Sequence, residues 1–458
     1  MTSASLAALA AACGGGDAEP GAEPTVGGAS PPETETTEPA TQLSGDLRIL
    51  VWSHFVPAHD DWFDPFAQDW GEEVGVNVTV DHINVADVPA RIASEISAGE
   101  GHDLIQYIAT LSQHEPSVRS MNDLNDEASN RFGELLPLCR NSSFNPATDN
   151  FYSYAPGWVP DPGDYRKSLW EQVGFPDGPK TWDDLREGGS QIKSDLGTQL
   201  GLGLSQEIDS NMAARALLWS YGGSIQDENE QVVLNSPETV DAVNFMAELF
   251  QGAMTDEVFA WNAASNNQGL IAGELSYILN SISAWRTAQE ANPDVAKDVF
   301  FSPALEGPST ALAAQHVMYN WIVPTFAQNV DAAEEFLLHY TQNFDQATFE
   351  SKLYDFPGFA DTVPELDGWL DEDPFVLEGD DPTKLQVLKT ATDWATNIGH
   401  PGPASPAIGE IFATFVVVNM MARVAQGQQA AEQSVEQAHQ ECETIFEKWR
   451  AEGLVGGA

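Results

Sequence analysis

The sequence predicts an α/β protein with two sheet-containing units and a helical carboxyl-terminal region. Three observations support this fold class. From residue 46, short apolar runs alternate with amphipathic segments; a stretch rich in Pro, Gly and aromatic residues at 152–170 interrupts the alternation; and 384–450 is mainly helical in pattern. Strands that alternate with helices over short connections indicate a parallel, doubly wound sheet.

The first unit shows this alternation clearly. Asp87-Val88-Pro89 has the composition of a helix start, because Asp caps helices and Pro is tolerated in the first turn. The other elements follow from their hydrophobic periods. In chain order the elements are the strand LRILVW (47–52), a helix at about 64–73, the strand VNVTV (76–80), the helix that ends near residue 98, and the strand DLIQYI (103–108).

The carboxyl ends of these strands are candidate ligand-binding positions, because ligands of doubly wound sheets bind beyond those ends. In the first unit the ends are Trp52-Ser53-His54, His82 and Tyr107.

The second unit follows the aromatic stretch, which we interpret as a crossover between two lobes. Thr181 with Asp184 three residues later is close to a capping box and predicts a helix start. Asn235-Ser236-Pro237-Glu238 predicts a second helix start after a break at Gly222-Gly223. The other predicted elements after the crossover are strands at 200–205 and 231–234, a strand that leads through a polar turn into a helix at 275–286, and a buried core helix at Ile411–Ala422, which is too short to span a bilayer. A further strand is predicted at 316–324, and we assign it to the first lobe.

The charge of the chain excludes one class of partner. Asp and Glu number 70 against 19 Lys and Arg, for a formal net charge of −51. Such a surface repels nucleic acid and anionic lipid headgroups, so binding to a phosphate backbone is excluded. Strong acidity keeps a protein soluble where salt screens the self-repulsion, so the composition also fits a saline habitat.

The cysteines leave one question open. Only Cys139 and Cys442 lie in the globular part of the chain, too few for a disulfide scaffold or a four-cysteine zinc site. They can pair in an oxidising compartment or stay free, since the sequence does not show the distance between their Cα atoms.

The amino terminus has the pattern of a targeting segment. An apolar run of small residues ends in Leu-Ala-Ala-Ala-Cys at Cys13, which resembles the lipobox of bacterial lipoproteins. Leu9 lies four residues before the cysteine where that pattern has it three before. No base precedes Arg48, so we expect the basic part of the signal upstream. Residues 14–45 are rich in Gly, Pro, Thr and Glu, and we expect a disordered acidic tether there.

The order of motifs resembles the extracytoplasmic solute-binding lipoproteins of ABC importers, in the carbohydrate-binding group that contains maltose-binding protein. The resemblance covers nearly everything after residue 46. Its most specific part is YRKSLWEQVGFPDGPKTWDDL, from Tyr165. The other motifs are an opening strand that ends in Trp52, AGEGHDLIQY with His102 in place of the family's proline, LWSYGGSIQDENEQVVLNSPETVDAVNFM (218–246), FLLHY (336–340) and VAQGQQAAEQSVEQAHQECETI (424–445).

The resemblance implies a two-lobed periplasmic-binding-protein fold with several interlobe crossovers. Lobe one is expected at 46–155 plus 312–355, and lobe two at 156–311 plus 356–458. Such a protein is not an enzyme: it captures a sugar or oligosaccharide in the cleft and delivers it to the permease and ATPase subunits of the importer. The resemblance also implies a monomer that is lipid-anchored at Cys13 on the outer face of the cell membrane or in the periplasm.

A sugar has apolar C–H faces and polar rims, so its site needs flat aromatic rings together with hydrogen-bonding side chains. The chain has 13 Trp, more than a core usually requires. Rings beside the Gly222-Gly223 break can stand at a cleft edge without obstructing the ligand. The predicted ligand-binding residues are Trp52, His54, Tyr107, Trp158, Asp209, Trp219, Tyr221, Trp261, Asn280, Ser281, Ser283, Trp285 and Tyr319; for each, ordinary core packing or helix capping is the competing interpretation.

The alternatives are a binding protein for another solute, such as a polyol phosphate, peptide, polyamine or metal, or an extracellular carbohydrate-active enzyme. No GxSxG, HExxH, Walker A, GxGxxG or CxxC motif occurs. His54 and His59 stand near Asp60 and Asp61, but the nine histidines show no recognised ligand spacing, so we expect no metal and no cofactor. Arg286 is one of few bases near the expected cleft, which disfavours a strongly anionic ligand.

Overall fold

A computed structural model describes residues 43–457 of the chain. The predictions that concern Cys13 and residues 14–42 lie outside the described residues. The strands within them are β1 (Gly45–Trp52), β2 (Val76–Ile83), β3 (Leu104–Tyr107), β4 (Phe144–Asn145), β5 (Asn150–Phe151), β6 (Gly157–Val159), β7 (Gly163–Arg166), β8 (Gln199–Gly201), β9 (Leu275–Leu279), β10 (Val299–Ser302), β11 (Ala313–Ala314), β12 (Val317–Met318), β13 (Asn320–Ile322), β14 (Phe356–Pro357) and β15 (Ala395–Thr396).

The helices surround these strands and fill the carboxyl-terminal part of the chain. They are α1 (Pro57–Val74), α2 (Val88–Ala98), α3 (Asn122–Phe132), α4 (Pro137–Ser143), α5 (Lys167–Gln172), α6 (Trp182–Leu196), α7 (Ile208–Ser220), α8 (Pro237–Ala253), α9 (Ser265–Ala272), α10 (Ser283–Ala291), α11 (Pro293–Asp298), α12 (Val330–Gln342), α13 (Phe344–Glu350), α14 (Leu366–Asp371), α15 (Ala391–Trp394), α16 (Pro406–Ala413), α17 (Val416–Ala425) and α18 (Ala431–Ala451), with 3₁₀ turns at Val85–Asp87, Ser112–Ser117, Asp256–Phe259 and Lys384–Thr390.

The first sheet has the order β13-β3-β1-β2. β1 runs parallel to β2 and to β3, as the alternation of strands and helices predicts, and β13 joins β3 antiparallel. Because β13 runs in the opposite direction, its amino end lies at the edge where the other strands have their carboxyl ends: Asn320 pairs with Tyr107. The chain around Tyr319 therefore reaches the same edge as Trp52.

The second sheet has the order β10-β7-β9-β8 and is mixed rather than wholly parallel. β8 and β9 are parallel and are joined through helices, whereas β7 is antiparallel to both β9 and β10. β7 follows β6 after only residues 160–162, so the chain enters this sheet directly from the smaller sheet that contains β6.

The predicted crossover at 152–170 contains β6, the central strand of a small sheet with the order β12-β6-β14. Both partners pair antiparallel with β6. The Trp158 indole N–H donates to the carbonyl of Pro357 at 3.1 Å. This sheet therefore ties three distant parts of the chain together between the two larger sheets.

Local sequence signals set the predicted helix starts. The Thr181 hydroxyl accepts from Asp184 N, and the Asp184 carboxylate accepts from Thr181 N, which completes a capping box at α6. The Ser236 hydroxyl accepts from Thr239 N at the start of α8. The strand predicted at 231–234 is absent from the described structure, where Val232 makes only an isolated bridge to Gln226.

The apolar stretch Pro406–Ala425 is, among the described residues, the one long and apolar enough to cross a membrane by length and composition. It is divided into α16 and α17 at Phe415, whose φ is 57°. Val417 and Met421 are fully buried, and α17 packs against α8 and α18. These contacts are those of a core helix, as the sequence predicts for this region.

The two cysteines of the globular part are both buried and free, so the pairing that the sequence left open does not form. Burial raises the pKa of both thiols, that of Cys442 to about 12. They pack as small apolar side chains.

Candidate ligand-binding site

The edge of the first sheet carries a stack of aromatic and histidine rings. The Trp52 ring stacks on His54, with centroids 4.9 Å apart, and on Tyr319 at 6.3 Å. His54 in turn stacks on His59, with centroids 4.3 Å apart. We call Trp52, His54, His59, Tyr319 and Asp355 the histidine cluster. It brings the end of β1 and the start of α1 next to the chain before β13 and β14.

Polar contacts hold this cluster together. The His54 Nε2 atom lies 3.0 Å from the Tyr319 hydroxyl and 3.3 Å from Asp355 Oδ1. The Tyr319 hydroxyl donates to Asp355 Oδ1. Burial and the charge of Asp355 raise the pKa of Tyr319 well above its usual value, so the phenol keeps the proton that it donates.

The edge of the second sheet carries acidic side chains. We call Asp161, Asp164, Glu207 and Asp209 the acid cluster. Asp161 and Asp164 flank the start of β7, whereas Glu207 caps α7 and Asp209 lies in the first turn of that helix. All four are buried. The sequence therefore concentrates carboxyl groups where solvation is poor.

His316 is the basic side chain that faces this cluster. Its Nδ1 atom lies 3.0 Å from Asp161 Oδ1 and 3.9 Å from Asp209 Oδ1. Burial lowers the pKa of His316, but the hydrogen bond and charge of Asp161, with the charges of Asp209 and Glu207, outweigh it and raise this pKa. His316 also binds the crossover, because its N–H donates to the Val159 carbonyl at 2.8 Å.

The carboxyl groups of the acid cluster all have pKa values raised above the usual range. Burial raises the pKa of Asp161, and it raises the pKa of Asp164 well above the usual value, with a further contribution from the charge of Asp161. Burial also raises the pKa values of Glu207 and Asp209. Within residues 43–457 neither carboxylate oxygen of Asp164 has a hydrogen-bond partner.

Tyr354 lies between the two clusters. Its ring is 5.2 Å from that of His54 and 6.4 Å from that of His316, edge-on to both. The histidine cluster and the acid cluster are therefore neighbours, and together they form a polar seam where the edges of the two sheets meet.

A cavity of about 600 Å³ opens beside the second sheet, beyond the carboxyl end of β8. Its volume is within the range of small-molecule pockets. The Ser205 hydroxyl, on its wall, donates to the Trp261 carbonyl at 2.8 Å and so fixes the loop that carries this tryptophan. The lining residues are Leu204, Ser205, Gln206, Phe259, Ala260, Trp261, Asn419, Ala422, Arg423, Gln426 and Gln428.

Comparison with known proteins identifies the family. Residues 61–376, more than half of the chain, match the family model described as bacterial extracellular solute-binding protein. The chain belongs to this family. The resemblance found in the sequence is thereby confirmed at the level of the family. The protein is an ABC transporter solute-binding protein, which binds its ligand without converting it, and is not an enzyme.

Individual relatives are distant in sequence and similar in fold. A binding protein of Brucella abortus (strain 2308) is 24% identical over 366 residues, which are 71% of this chain and 85% of that protein. A protein of Synechococcus sp. MITs9220, described as an oligosaccharide periplasmic-binding protein in complex with zinc, superimposes with a TM-score of 0.75 at 18% identity, over 88% of this chain and 100% of that one. The maltose-bound MalE3 of T. maritima gives 0.70 at 19% identity, over the same shares. The predicted fold class is confirmed.

Several of the predicted ligand-binding residues of this solute-binding protein come together. Trp52, His54 and Tyr319 are in the histidine cluster. Asp209 is in the acid cluster, where Asn266 donates to its Oδ2 at 2.8 Å. Trp261 is half-buried and lines the cavity.

The polar turn after β9 lies next to the acid cluster. Asn280 N–H donates to the carbonyl of Pro162, between Asp161 and Gly163. The Asn280 side chain donates to Asn267, and the hydroxyls of Ser281 and Ser283 are 3.3 Å apart. These three residues are buried at the seam.

The other predicted aromatic residues are placed elsewhere. Tyr107 is half-buried at the end of β3, and burial raises its pKa to about 12. Trp158 packs in the crossover sheet, 5.8 Å from Phe356. Trp285 is fully buried, lies edge-on to Phe301 at 5.3 Å, and donates from its indole N–H to the Ala296 carbonyl at 3.0 Å.

The rings beside Gly222-Gly223 also make protein contacts. Trp219 is buried and lies edge-on to His400 at 5.6 Å, and Tyr221 lies 5.5 Å from Phe245. Gly222 has a φ of 90°, which favours glycine, and a Cβ on Gly223 would be 2.6 Å from side-chain atoms of Leu218 and Thr239. The break therefore serves the helix end and close packing. Whether any of these rings touches a ligand stays a prediction.

Sequence reasoning did not propose several members of the seam and the cavity. Asp161 and Asp164 stand in the motif PDPGD before β7, but with 70 acids in the chain no single pair stands out. Glu207 has the position of a helix cap, which is a local signal, whereas His316 is the first residue of the predicted strand 316–324 and is not selected by the strand-end rule. The side chains that had none are Asp355, Tyr354, Gln206, Asn419, Arg423, Gln426 and Gln428.

Proposed function

We propose that this solute-binding protein captures a neutral sugar or oligosaccharide and delivers it to the permease and ATPase subunits of an ABC importer. The cavity at the end of β8 carries this proposal, and its lining residues all fall in the expected lobe two rather than between the lobes, where the resemblance implied the site. It combines the half-buried ring of Trp261 with four side-chain amides, those of Gln206, Asn419, Gln426 and Gln428. A ring face matches the apolar C–H face of a sugar, and amides can donate to and accept from its hydroxyls.

The charges around the cavity favour a neutral ligand. No carboxylate is among its lining residues, and Arg423 is its single base. The Arg423 guanidinium already donates to the Ser434 hydroxyl at 3.0 Å and to the Ser434 carbonyl at 3.2 Å. An anionic ligand would need unengaged Arg or Lys groups. The sugar bound to MalE3 and the description of the Synechococcus protein support the same class of solute.

One observation favours a second candidate, a cationic solute such as a polyamine. Asp161 Oδ2 and both carboxylate oxygens of Asp164 are buried without hydrogen-bond partners among the described residues. An ammonium group is the natural partner of such carboxylates. This solute would occupy the acid cluster rather than the cavity, so the two candidates predict different residues.

Each lobe of the proposed binding mechanism contains one of the two larger sheets. Lobe one, 46–155 plus 312–355, contains the first sheet, and lobe two, 156–311 plus 356–458, contains the second. We propose that the segments around β6, β12 and β14 are the crossovers about which the lobes close.

We further propose lipid anchoring through Cys13 on the outer face of the cell membrane, because the Leu-Ala-Ala-Ala-Cys motif and the tether after it have that pattern. Release of a Cys13→Ser variant from the membrane fraction is the measurement that checks the anchor.

We expect a neutral saccharide to stabilise the full chain, and Trp261→Ala to abolish that stabilisation. Ligand that binds only the folded form stabilises it by about 2.7 kcal/mol at a hundredfold excess over Kd. Melting temperatures are measured by differential scanning fluorimetry with a panel of mono- and oligosaccharides, polyols, amino acids, a polyol phosphate and spermidine. Isothermal titration calorimetry then gives Kd for each hit.

Trp369→Ala is the matched control for this prediction. Trp369 is also a half-buried tryptophan, on α14 against Phe349, and it does not line the cavity. Its variant should bind saccharide like the wild type. Stabilisation by spermidine alone, lost in Asp164→Asn and kept in Trp261→Ala, would replace the sugar proposal by the cationic one. A saccharide that binds Trp261→Ala with unchanged Kd would remove the cavity as its site.

A further inference from the structure

Three side chains of the histidine cluster have the composition and the spacing of a metal site. His54, His59 and Asp355 each offer one ligand atom, and these atoms lie within 4.8 Å of one another. The His54 Nε2 atom is 3.3 Å from Asp355 Oδ1, and the His59 Nε2 atom is 3.6 Å from Asp355 Oδ2. Ligand atoms about 2.0–2.1 Å from a tetrahedral zinc ion are about 3.3 Å apart, so little movement would be needed.

Two of these side chains, His59 and Asp355, have atoms without other partners, whereas the His54 Nε2 atom also contacts the Tyr319 hydroxyl. Within the described part of the chain, the two ring nitrogens of His59 and the Oδ2 atom of Asp355 have no hydrogen-bond partner. His59 is 7% exposed and Asp355 is 0% exposed. A buried polar atom without a partner destabilises the fold. These atoms are aimed at one another across a distance too long for a hydrogen bond, which is the arrangement that a shared cation would satisfy.

Neighbouring groups can orient both imidazoles as metal ligands. The His54 Nδ1 atom lies 3.0 Å from the Val56 carbonyl and 2.9 Å from the Val56 N–H. Metal binding at Nε2 needs the tautomer in which Nδ1 donates to this carbonyl, in place of the one in which it accepts from the N–H. The His59 Nδ1 atom lies 3.7 Å from Asp60 Oδ1, and a carboxylate at this position is a common partner of a metal-bound histidine. Asp60 itself is part-exposed, which leaves the ion a path from solvent.

The geometry points to a zinc-binding site formed by His54 Nε2, His59 Nε2 and the carboxylate of Asp355. Two imidazoles and one carboxylate are ligands typical of Zn²⁺, whereas Mg²⁺ and Ca²⁺ prefer sites made wholly of oxygen. None of the three residues lines the cavity at the end of β8. The site is therefore separate from the proposed sugar site and does not depend on which solute is transported.

The position of the ion has a structural consequence. His54 and His59 belong to the end of β1 and the start of α1, and Asp355 directly precedes β14, a strand of the crossover sheet. A bound ion would fix the edge of the first sheet to a crossover strand. Zinc should thus stabilise the folded chain whether or not a solute is present.

The test uses the full chain without an affinity tag, stripped with EDTA and dialysed. We expect one Zn²⁺ per chain in competition against a chromophoric chelator, and a rise in melting temperature with ZnCl₂. His59→Ala and Asp355→Asn should bind zinc at least about 100-fold more weakly, and Asp60→Asn about 10–100-fold more weakly, as is usual for a partner of a metal-bound histidine.

A ligand swap keeps the test decisive if removal of a ligand harms folding. His59→Cys retains a zinc ligand and should retain tight binding, and its Co²⁺ form should gain a thiolate-to-metal charge-transfer band that the wild type lacks. His82→Ala is the matched control, because His82 lies 2.7 Å from Asp64 and 3.6 Å from Asp60 but outside the three ligands. Wild-type affinity in Asp355→Asn, or equal loss in His82→Ala, would overturn the assignment.

Discussion

Replacement of Arg286 by Ala is expected to lower the free energy of unfolding by about 3–5 kcal/mol, the usual cost of leaving one partner of a buried ion pair uncompensated. The guanidinium of Arg286 binds Asp373 through two hydrogen bonds of 2.7 and 3.0 Å. Both side chains are almost completely buried. Loss of the arginine would leave the buried Asp373 carboxylate without the opposite charge that it now pairs with.

Arg286 also connects distant parts of the fold. Its Nε–H donates to the Lys352 carbonyl at 2.8 Å, three residues before Asp355. Its guanidinium lies over the Trp285 ring, 4.4 Å from the centroid. Because α10 follows the polar turn of Asn280 and Ser281, the arginine fixes the helix that positions that turn. Its expected role is structural, although the sequence suggested a base near the cleft.

Urea unfolding followed by circular dichroism measures the effect. The matched control is Arg186→Ala, since Arg186 pairs with Asp183 and Glu248 on an exposed face and such pairs contribute at most about 1 kcal/mol. The double variant Arg286→Met, Asp373→Leu removes both charges and should recover much of the loss. If Arg286→Ala costs no more than Arg186→Ala, the buried pair does not stabilise the fold as argued.

The fold was predictable from the sequence where signals are local. Thr181 and Asp184 form the predicted capping box, and the parallel pairing of β1 with β2 and β3 follows from strand–helix alternation. The direction of β7 was not predictable in this way, because β7 lies in a stretch without a regular period and pairs with β9 and β10, which are far from it in the sequence. Gln231–Leu234 alternates like a strand but has no long neighbour to pair with.

The site was predictable only in part, because its members are far apart in the sequence. The strand-end rule placed Trp52 and His54 at the sheet edge, and the two side chains lie there. Asp355 joins them from 301 positions away, and no spacing pattern reports such a contact. The sequence shows how many tryptophans the chain has but not which of their rings are buried. The half-buried Trp261 and the fully buried Trp285 were therefore equivalent candidates.

The acid cluster should contribute stability to the ligand-free protein at pH 5 that is lost by pH 8. Burial raises the pKa values of Asp161, Asp164, Glu207 and Asp209, and the neighbouring acids raise that of His316. Above about pH 4, where unfolded carboxyl groups titrate, these five groups bind more protons in the folded chain than in the unfolded chain. Their contribution to the free energy of unfolding therefore falls as the pH rises through this window.

Groups with the opposite shift act against this contribution where they titrate in the same window. Burial lowers the pKa values of His59, His114, His339 and His400, so their contribution to stability rises with pH up to about 6.5, and it is common to all the variants compared below. The pKa values of Asp60, Asp81, Glu95 and Asp381 are lowered in the folded chain. Their contribution to stability is present above the pKa of the unfolded chain and is lost only below about pH 4, outside the window. The repulsion among surface acids is a separate effect, and about 1 M NaCl shortens the Debye length to roughly 3 Å and screens it.

The decisive measurement is the slope of stability against pH in 1 M NaCl with EDTA, for the wild type and for Asp161→Asn, Asp164→Asn. The double variant cannot take up those protons, so its stability should fall less than that of the wild type between pH 5 and pH 8. Asp126→Asn, Glu187→Gln is the matched control, since it removes the same formal charge from two exposed positions and should keep the wild-type slope. A slope in Asp161→Asn, Asp164→Asn equal to that of the wild type would show that these two buried carboxyl groups do not carry the pH dependence. If both double variants flatten the slope equally, net charge rather than burial is its cause.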